Sequence, residues 1–385
     1  GQRQSRHRSK SMTLSAAASE THVHVAVAAR IDFGGGWTDT PPYSIEQGGA
    51  VLNAAILLHD RHPIVAEAAR TSEPGLVLES RDIDDTLIPK TAGDVLAYRN
   101  PADPFALLKA ALVLKGIVPA DCQPDMSLRT LLGSGTGLRL TTQTHIPRGS
   151  GLGTSSIIAG AVLASLDRLF EIHSTQEELF DQVLCLEQML TTGGGWQDQV
   201  GGLVGGVKLL TTEPGLQQQI RIEPLMASTN TTEALRQRLA LIYTGQQRLA
   251  KNLLRSVMGR WMARDPEMVW LLEEIGRLAV TMRDALQTDD VDSFGRLLGD
   301  HWQLNKRMDP GCTNPFIDDL IDFISPYILG GKLAGAGGGG FAFVITHDSD
   351  ATAAMESALA ERYGNTPVLL WPVRIADSGI STTIS

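Results

Sequence analysis

Apolar and polar residues begin to alternate at Thr21, and Val23, Val25 and Val27 share one face of the pattern. This period of two residues predicts a half-buried strand. Further strand-like runs lie at 51–58, 63–67, 76–79 and 138–146. Because a helix is also predicted over 104–114, we expect the first half of the chain to mix α and β structure.

Helical periodicity dominates the middle and the second half of the chain. It predicts helices at 155–170, at 176–190 after an N-cap at Ser174, and at 267–286, 291–308, 315–328 and 351–363. Strand patterns lie at 239–243, 341–346 and 368–375. For the second half, this order predicts an α+β domain whose helices cover one face of an antiparallel sheet.

The segment 211–232 is rich in Pro, Gly and small polar residues and separates the two halves. A chain of 385 residues is long for a single hydrophobic core, so two domains sharing a cleft are expected. We predict them at 21–225 and 226–385; a loop within one domain is the alternative for 211–232. Residues 1–20 are basic and rich in Ser and Ala, which predicts a disordered tail or linker, and Met12 is a candidate natural start.

The amino-acid composition of the chain disfavours some classes of function. The chain is 43% hydrophobic and carries a net charge of −10, which disfavours nucleic acids and anionic membranes as partners. Its three cysteines are far apart and form no CxxC pair, as expected in a reducing compartment. There is no apolar run of transmembrane length, so we expect a soluble, cytoplasmic protein.

The first glycine-rich element, "PRGSGLGTSS" at 147–156, lies between a predicted strand and a predicted helix. Backbone N–H groups in such a loop, together with the positive end of the helix, bind phosphate oxygens. The lysine of a Walker loop is missing, so backbone amides would hold a nucleotide, with a hydroxyl of Thr154, Ser155 or Ser156 free to bind Mg²⁺. A tight strand-to-helix turn is the structural alternative.

A second element, "TTGGGWQDQVGG" at 191–202, places Asp198 in a glycine-rich setting, where a carboxylate can be presented to a ligand. Glu187 precedes it by 11 positions at the end of a predicted helix. Two carboxylates on different backbones can divide the work, one binding Mg²⁺ and the other facing a reacting hydroxyl. A solvated loop aspartate and a solvated helix glutamate are the alternatives.

Two further motifs contain glycine clusters. "GAGGGG" at 335–340 matches G-x-G-x-x-G but follows a helix and opens a strand, so we reject a dinucleotide-binding fingerprint. The close backbone approach that it allows serves either a ligand or a bend at a sheet edge. In "ARIDFGGGWTDTPP" at 29–42, Arg30 and Asp39 are candidates to bind a polar ligand, and Trp37 offers a flat surface for a sugar ring.

Taken in order, these motifs resemble the three signatures of the GHMP kinases, the family of galactokinase and of homoserine, mevalonate and phosphomevalonate kinases. Within the family, "RIDFGGGWTDTPP" is most similar to the kinase domains of L-fucokinases, including bifunctional fucokinase/GDP-fucose pyrophosphorylases. The likeness continues through "GGAVL", "YTGQQRLAKNLL", "MDPGC" and "LAGAGGGGF". It covers about 23–346.

The resemblance implies an α+β, two-domain GHMP kinase fold, with an N-terminal domain of the ribosomal-protein S5 type and a ferredoxin-like C-terminal domain. It implies ATP and Mg²⁺ as cofactors and a small sugar as substrate, phosphorylated at its anomeric hydroxyl. The ATP-binding residues would be Gly149, Ser150, Gly151, Leu152, Gly153, Thr154, Ser155, Ser156, Gly337, Gly338 and Gly339.

The same resemblance implies individual roles. Ser155 and Glu187 would bind Mg²⁺, and Asp198 would lie beside the anomeric hydroxyl with Arg30 next to it. The sugar-binding residues would be Gly36, Trp37, Asp39 and Gly195. The phosphate loop departs from the family pattern at Thr154 and Ser156, which leaves three candidate hydroxyls for the metal.

L-fucose is the expected substrate. A D-glycero-D-manno-heptose 7-phosphate kinase and a non-catalytic sugar sensor are the alternatives. The heptose phosphate kinase needs cations to bind the phosphate that its substrate already carries, and the motif at 29–42 offers only Arg30. A non-catalytic sugar sensor need not keep Asp198. A nucleotidyltransferase-like region often precedes fucokinase domains; with the first strand predicted at residue 23, we expect none within this sequence. A homo-oligomer and a separate fusion partner stay open.

Overall fold

A computed structural model describes residues 21–100, 102–133, 135–190, 194–246 and 253–385. The predicted tail at 1–20 and part of the "YTGQQRLAKNLL" motif lie outside the described residues. The strands are β1 His22–Val27, β2 Ala29–Gly34, β3 Gly49–Leu58, β4 Ile64–Thr71, β5 Gly75–Ser80, β6 Asp85–Leu87, β7 Gly137–Thr144, β8 Val207–Thr212, β9 Arg221–Pro224, β10 Leu239–Tyr243, β11 Ile328–Leu333, β12 Phe341–Thr346, β13 Leu369–Trp371, β14 Val373–Ile375 and β15 Ile380–Ile384.

The α-helices lie between groups of these strands along the chain. They are α1 Tyr43–Gln47, α2 Ala92–Leu96, α3 Ala106–Leu114, α4 Leu128–Leu132, α5 Thr154–Leu169, α6 Gln176–Met189, α7 Gln197–Leu203, α8 Thr229–Arg238, α9 Leu253–Met262, α10 Pro266–Gln287, α11 Val291–Met308, α12 Pro315–Ile324 and α13 Ser349–Tyr363. Within the part of the chain that the structure describes, none of them combines the length and apolar character needed to cross a bilayer.

The strands form three sheets. One has the order β15-β1-β4-β7-β5-β6, the second has the order β14-β3-β8-β9 with β2 paired to β3, and the third has the order β11-β12-β10-β13. Among the strand pairs that the structure describes, β5–β7 is parallel and the others are antiparallel. The alternation that predicted β1 is confirmed, because Val23, Val25 and Val27 are fully buried.

One hydrophobic core joins the first and second halves of the chain. Phe33 on β2 packs edge-on against Phe294 on α11, with 5.1 Å between ring centroids, and against Phe343 on β12, with 5.9 Å. Such T-shaped pairs add to the stabilisation from buried area. This packing fixes β2, which carries the first motif, against the second-half elements that face it.

Several predicted boundaries move. Thr175, not Ser174, is the N-cap of α6, since its side chain accepts from the N–H of Glu178 in a capping box. The helix predicted over 315–328 ends at Ile324 and is followed by a 3₁₀ turn and β11. The strand predicted over 368–375 is divided into β13 and β14 by Pro372, which has no N–H to donate.

The polar segment 211–232 contains β9 and the start of α8, so it is not one continuous loop. The domain division near residue 225 stays a prediction.

The last two strands return to the sheets of the first half: β14 pairs with β3, and β15 pairs with β1 at the sheet edge. Their partners lie more than 300 positions away in sequence, a separation that no local pattern records.

Candidate active site

Arg30 on β2 forms hydrogen bonds to two other parts of the site. Its Nε and Nη2 donate to Oδ1 of Asp198 at 2.9 and 2.7 Å, and its Nη1 donates to the carbonyl oxygen of Gly151 at 2.6 Å. The side chain is buried, which by itself lowers its pKa, but the carboxylates of Asp198, Asp32 and Asp39 outweigh burial and raise it. Arg30 is therefore a permanent charge that ties Asp198 to the first glycine loop.

Two glycines leave room for the side chain of Arg30. A Cβ on Gly153 would lie 3.0 Å from the Arg30 side chain, and one on Gly201 would lie 2.9 Å from it. Both positions are therefore too close to Arg30 for a larger residue. Sequence reasoning attributed the glycines near Asp198 to ligand approach; at Gly201 the structure shows that the group approaching is Arg30.

Asp198 lies in the first turn of α7, which starts directly after the glycine run. The first three residues of "TTGGGWQDQVGG" lie outside the described residues.

The other end of α7 is held by Lys208 on β8, whose buried Nζ donates to the carbonyl oxygens of Gly201, Val204 and Gly206 at 3.0, 2.6 and 3.2 Å. Burial lowers the pKa of Lys208 to about 7. Sequence reasoning missed this residue.

Asp39 is buried in the turn after β2. Its carboxylate accepts from the backbone N–H of Trp37 at 3.2 Å and from that of Gln197 at 3.3 Å. A Cβ on Gly195 would lie only 1.8 Å from Oδ2 of Asp39, so a glycine is required where the α7 loop closes over the carboxylate. Burial, followed by the negative charges of Asp198 and Asp32, raises the pKa of Asp39 to about 7.

The two glycine loops pack against each other. Gly149, Gly151 and Gly153 have φ of +71°, +80° and +72°, and Gly337, Gly338 and Gly339 have φ of +84°, +82° and +146°. A Cβ on Gly151 would lie 2.3 Å from the carbonyl oxygen of Ala334, and the N–H of Phe341 donates to the carbonyl oxygen of Ser150 at 3.2 Å. The first loop leads directly into α5, so its amides lie at the positive end of a 16-residue helix.

The second glycine loop also contacts the "MDPGC" motif. The N–H of Gly338 donates to the carbonyl oxygen of Cys312 at 2.6 Å, and a Cβ on Gly337 would lie 2.4 Å from the same oxygen. Leu152 is buried, and its carbonyl oxygen accepts from the N–H of Arg30 at 3.3 Å. The glycine loops, Arg30 and "MDPGC" are thus one packed unit.

Glu187 meets a hydroxyl, but not that of Ser155. The Oγ of Ser156 donates to Oε1 of Glu187, and both side chains are buried, whereas Ser155 is exposed on the other side of α5. Consecutive helical residues point about 100° apart, so the two serine side chains leave α5 in different directions. Ser156 is the serine that contacts Glu187 here, and the binding of Mg²⁺ by Ser155 together with Glu187 stays a prediction.

The residues at this position fit Mg²⁺. A hydroxyl and a carboxylate are hard oxygen ligands of the kind that Mg²⁺ prefers. Burial raises the pKa of Glu187 to about 7, and a nearby cation would favour the ionised form. The metal-binding role stays a prediction, with Ser156 now beside Glu187 and Ser155 near the phosphate loop.

A cavity of about 130 Å³ opens beside Arg30 and Asp198. Of the residues that were predicted to bind sugar or act in the reaction, six line it: Arg30, Gly36, Trp37, Asp39, Gly195 and Asp198. Trp37 has φ of +87°, a strained value for a bulky residue, and this conformation lets its N–H reach Asp39. Trp196, which also supported the resemblance, is buried and does not line this cavity.

Sequence reasoning missed the rest of the lining: Asp32, Thr40, Gln197, His301, Asn305, Gly335 and Ala336. His301 and Asn305 lie four positions apart on the buried face of α11, among apolar residues. A polar side chain at a core position of an amphipathic helix is the signal that would have found them. Asp32 follows the same logic, since every residue of β2 is buried.

Two stretches of the chain match known protein families. Residues 125–206 match the GHMP kinases N terminal domain, and residues 282–365 match the GHMP kinases C terminal family. The chain belongs to the GHMP kinase family. The two matches occur in the predicted order, and the expectation of a two-domain α+β kinase fold is confirmed. ATP is the phosphoryl donor that membership of a kinase family implies.

Two relatives of the chain have fucokinase in their names. The chain is 38% identical over 335 residues to a bifunctional fucokinase/GDP-fucose pyrophosphorylase of Arabidopsis thaliana, covering 86% of this chain and 30% of that protein. It is 37% identical over 358 residues to an L-fucokinase/L-fucose-1-P guanylyltransferase of Bacteroides fragilis, covering 92% and 38%. The chain thus spans about a third of the length of these relatives.

Solved structures share the fold. A D-glycero-D-manno-heptose 1-phosphate kinase from Bacteroides thetaiotaomicron superposes with a TM-score of 0.70 at 20% identity, covering 94% of this chain and 98% of that one. Lactococcus lactis galactokinase, in complex with galactose, gives a TM-score of 0.68 at 17% identity, covering 94% and 95%. At such identities the likeness concerns the fold alone.

Proposed function

We propose that this protein is an ATP-dependent sugar 1-kinase that converts L-fucose and ATP to L-fucose 1-phosphate and ADP. The observation that carries the proposal is the position of Arg30, which bonds Asp198 and the Gly151 carbonyl with one guanidinium. A phosphate bound at the glycine loop and a hydroxyl bound at Asp198 would be brought together across this side chain. Positioning of that kind is the main requirement of phosphoryl transfer.

ATP would bind along the first glycine loop. Its phosphates would meet backbone amides at the start of α5, where the helix dipole favours anions. A groove of about 330 Å³ adjoins the loop at Gly149 and Ser155, with an apolar wall that includes Leu107 and Ile158. A mostly apolar slot with a few polar groups suits an adenine base.

Asp198 would bind the anomeric hydroxyl of the sugar. Its hydrogen bonds from Arg30 fix the carboxylate, so that it can orient the hydroxyl and either accept its proton or stabilise nearby charge. Arg30 would offset negative charge that develops on the reacting oxygens. Mg²⁺, held by Glu187 with Ser156 or Ser155, would neutralise phosphate charge.

An uncharged sugar suits the cavity better than a phosphorylated one. Among the described residues, the carboxylates of Asp32, Asp39 and Asp198 line it, and the arginine that lines it is already paired with Asp198. A phosphate already present on the sugar would meet these carboxylates, and the described lining residues offer it no unpaired Lys or Arg. The heptose 7-phosphate alternative is therefore less supported than L-fucose, which the names of the two relatives above also favour.

The test is ADP release by the purified protein with Mg·ATP and one sugar at a time: L-fucose, D-arabinose, L-galactose, D-galactose, D-mannose and a heptose 7-phosphate. Selective turnover of L-fucose is expected. Turnover of the heptose phosphate alone would overturn the substrate, and no turnover of any sugar would favour a non-catalytic sensor.

A further inference from the structure

Three buried polar side chains form one side of the cavity, which we name the inner wall: Asp32 on β2, and His301 and Asn305 on α11. Their exposed fractions are 3%, 1% and 4%. Each has one polar atom without a hydrogen-bond partner among the residues that the structure describes: Oδ1 of Asp32, Nδ1 of His301 and Oδ1 of Asn305. Buried polar atoms in native proteins are nearly always paired, so a group of three at one cavity indicates a partner other than the described residues.

His301, which lines the cavity, carries one hydrogen-bond donor. The N–H of Gly35 donates to Nε2 of His301 at 3.1 Å, so Nε2 is the acceptor nitrogen and the proton of a neutral ring lies on Nδ1. Burial, followed by the positive charge of Lys332, lowers the pKa of His301 and keeps the ring neutral. The N–H at Nδ1 is thus fixed in direction by the contact on the opposite side of the ring.

Asp32 and Asn305 offer acceptors. Nζ of Lys332, fully buried on β11, lies 3.4 Å from Oδ2 of Asp32, and Oδ1 of Asp32 has no partner among the described residues. The amide oxygen of Asn305 is a second acceptor, one helical turn from His301. The inner wall therefore presents two acceptors and one donor at the edge of a cavity large enough for only a small molecule.

We propose that the inner wall is the specificity-determining subsite that binds the ring hydroxyls of the sugar away from the reacting carbon. A hydroxyl both donates and accepts, so neighbouring hydroxyls of a sugar would donate to Asp32 and Asn305 and accept from His301. A ligand that lacks one hydroxyl, or points it elsewhere, leaves a buried wall atom unpaired, which is how polar sites reject close analogues. This inference rests on the proposed function, since it needs a polyhydroxylated substrate in the cavity.

Asn305→Leu and His301→Gln test the inner wall with little risk to the fold. Leucine has the same branched shape as asparagine, although it is larger, and it replaces an amide oxygen that has no described partner. Glutamine keeps an oxygen that can accept from Gly35 but removes the donor at Nδ1. The matched control is Thr212→Val, because the buried Oγ1 of Thr212 on β8 also has no partner among the described residues but does not line the cavity.

The experiment measures sugar affinity by calorimetry, and KM and kcat by ADP release, with L-fucose and its 2-, 3- and 4-deoxy analogues. Asn305→Leu and His301→Gln are each expected to weaken L-fucose binding about tenfold while the KM for ATP and the melting temperature change little. Each variant should also lose discrimination against one deoxy analogue, the one that lacks its partner hydroxyl. Thr212→Val should behave as the wild type.

The outcomes separate this inference from the proposed function. If the wild type phosphorylates L-fucose and both variants bind all four sugars as the wild type does, the inner wall is structural and the inference is wrong. If the wild type uses a different sugar of the panel and the variants lose affinity for that sugar, the inference stands and the proposed substrate is wrong. If the wild type binds no sugar, both are wrong.

Discussion

Lys208 gives a prediction that links the stability of the fold to the site. Its Nζ is fully buried and bonds three carbonyl oxygens at the end of α7, the helix that carries Asp198. No carboxylate within the described residues forms an ion pair with it. The pKa of Lys208 is about 7 in the folded protein, against an ordinary value of 10.5.

The difference in pKa fixes the sign and the size of a pH effect. Between pH 7 and 10.5 the unfolded chain binds a proton at this lysine that the folded chain has released. The free energy of unfolding therefore rises with pH in that window. Each pKa unit corresponds to about 1.4 kcal/mol, so the contribution of Lys208 rises by at most about 4 to 5 kcal/mol across the window.

Lys208→Met removes this contribution, while the other titrating groups stay common to both proteins. The assay is denaturant unfolding of the wild type and the variant at pH 7, 8, 9 and 10, with the exposed-lysine variant Lys90→Met as control. The stability of the wild type relative to Lys208→Met should grow by several kcal/mol between pH 7 and pH 10. Because α7 loses donors to its last carbonyls, kcat should also fall about tenfold.

Parallel stability curves for the wild type and Lys208→Met would refute the reasoning, because they would mean that Lys208 titrates alike in the folded and unfolded chains. A falling wild-type curve relative to the variant would refute the sign. Lys90→Met should follow the wild type at every pH, since an exposed lysine has little to gain or lose on folding.

Three substitutions test the site itself. Asp198→Asn should lower kcat by about 10² to 10⁴ with little change in melting temperature; a kcat within a few-fold of wild type would remove Asp198 from the reaction. Gly151→Ala, at φ +80° with a Cβ 2.3 Å from a backbone oxygen, should lower stability and raise the KM for ATP, whereas Gly259→Ala, with open space around it, should do neither. Glu187→Gln should weaken the Mg²⁺ dependence of turnover at least tenfold, measured by metal titration, with the exposed Glu177→Gln unchanged; equal titrations would contradict the metal role.

The elements that the sequence predicts best are those whose pattern is local. Helix 291–308 and strand 341–346 match their predicted bounds, because an amphipathic period and clear end signals lie within each segment. β2 was not predicted as a separate strand, because the strand pattern that starts at Thr21 runs on through Phe33 and nothing in it marks a break at Ala28. β15 was missed because its partner β1 lies at the other end of the chain.

The candidate site divides in the same way. Arg30, Asp39 and Asp198 stand in motifs that can be recognised from the sequence, and the structure places them around one cavity. His301 and Lys332 come from elements about 300 positions after the motif at 29–42, and only folding brings His301 beside Gly35 and Lys332 beside Asp32.

The metal position illustrates a finer limit of the sequence. The loop motif offers Thr154, Ser155 and Ser156 in a row, and the resemblance selects Ser155. Which hydroxyl faces Glu187 depends on the rotation of α5, since each residue turns the side chain by about 100°. That rotation is set by how α5 packs on the sheet and on α6, and it favours Ser156 for this contact.

The central claim is that Asp198 and Arg30 place the anomeric hydroxyl of L-fucose at the phosphate loop. Its most direct test is the identity of the product formed from L-fucose and Mg·ATP, determined by phosphorus NMR with the coupling to the attached sugar proton. We expect a single sugar phosphate with phosphorus coupled to the anomeric proton, formed by the wild type and not by Asp198→Asn. Phosphate on any other hydroxyl, or the same product at the same rate from Asp198→Asn, would contradict the account.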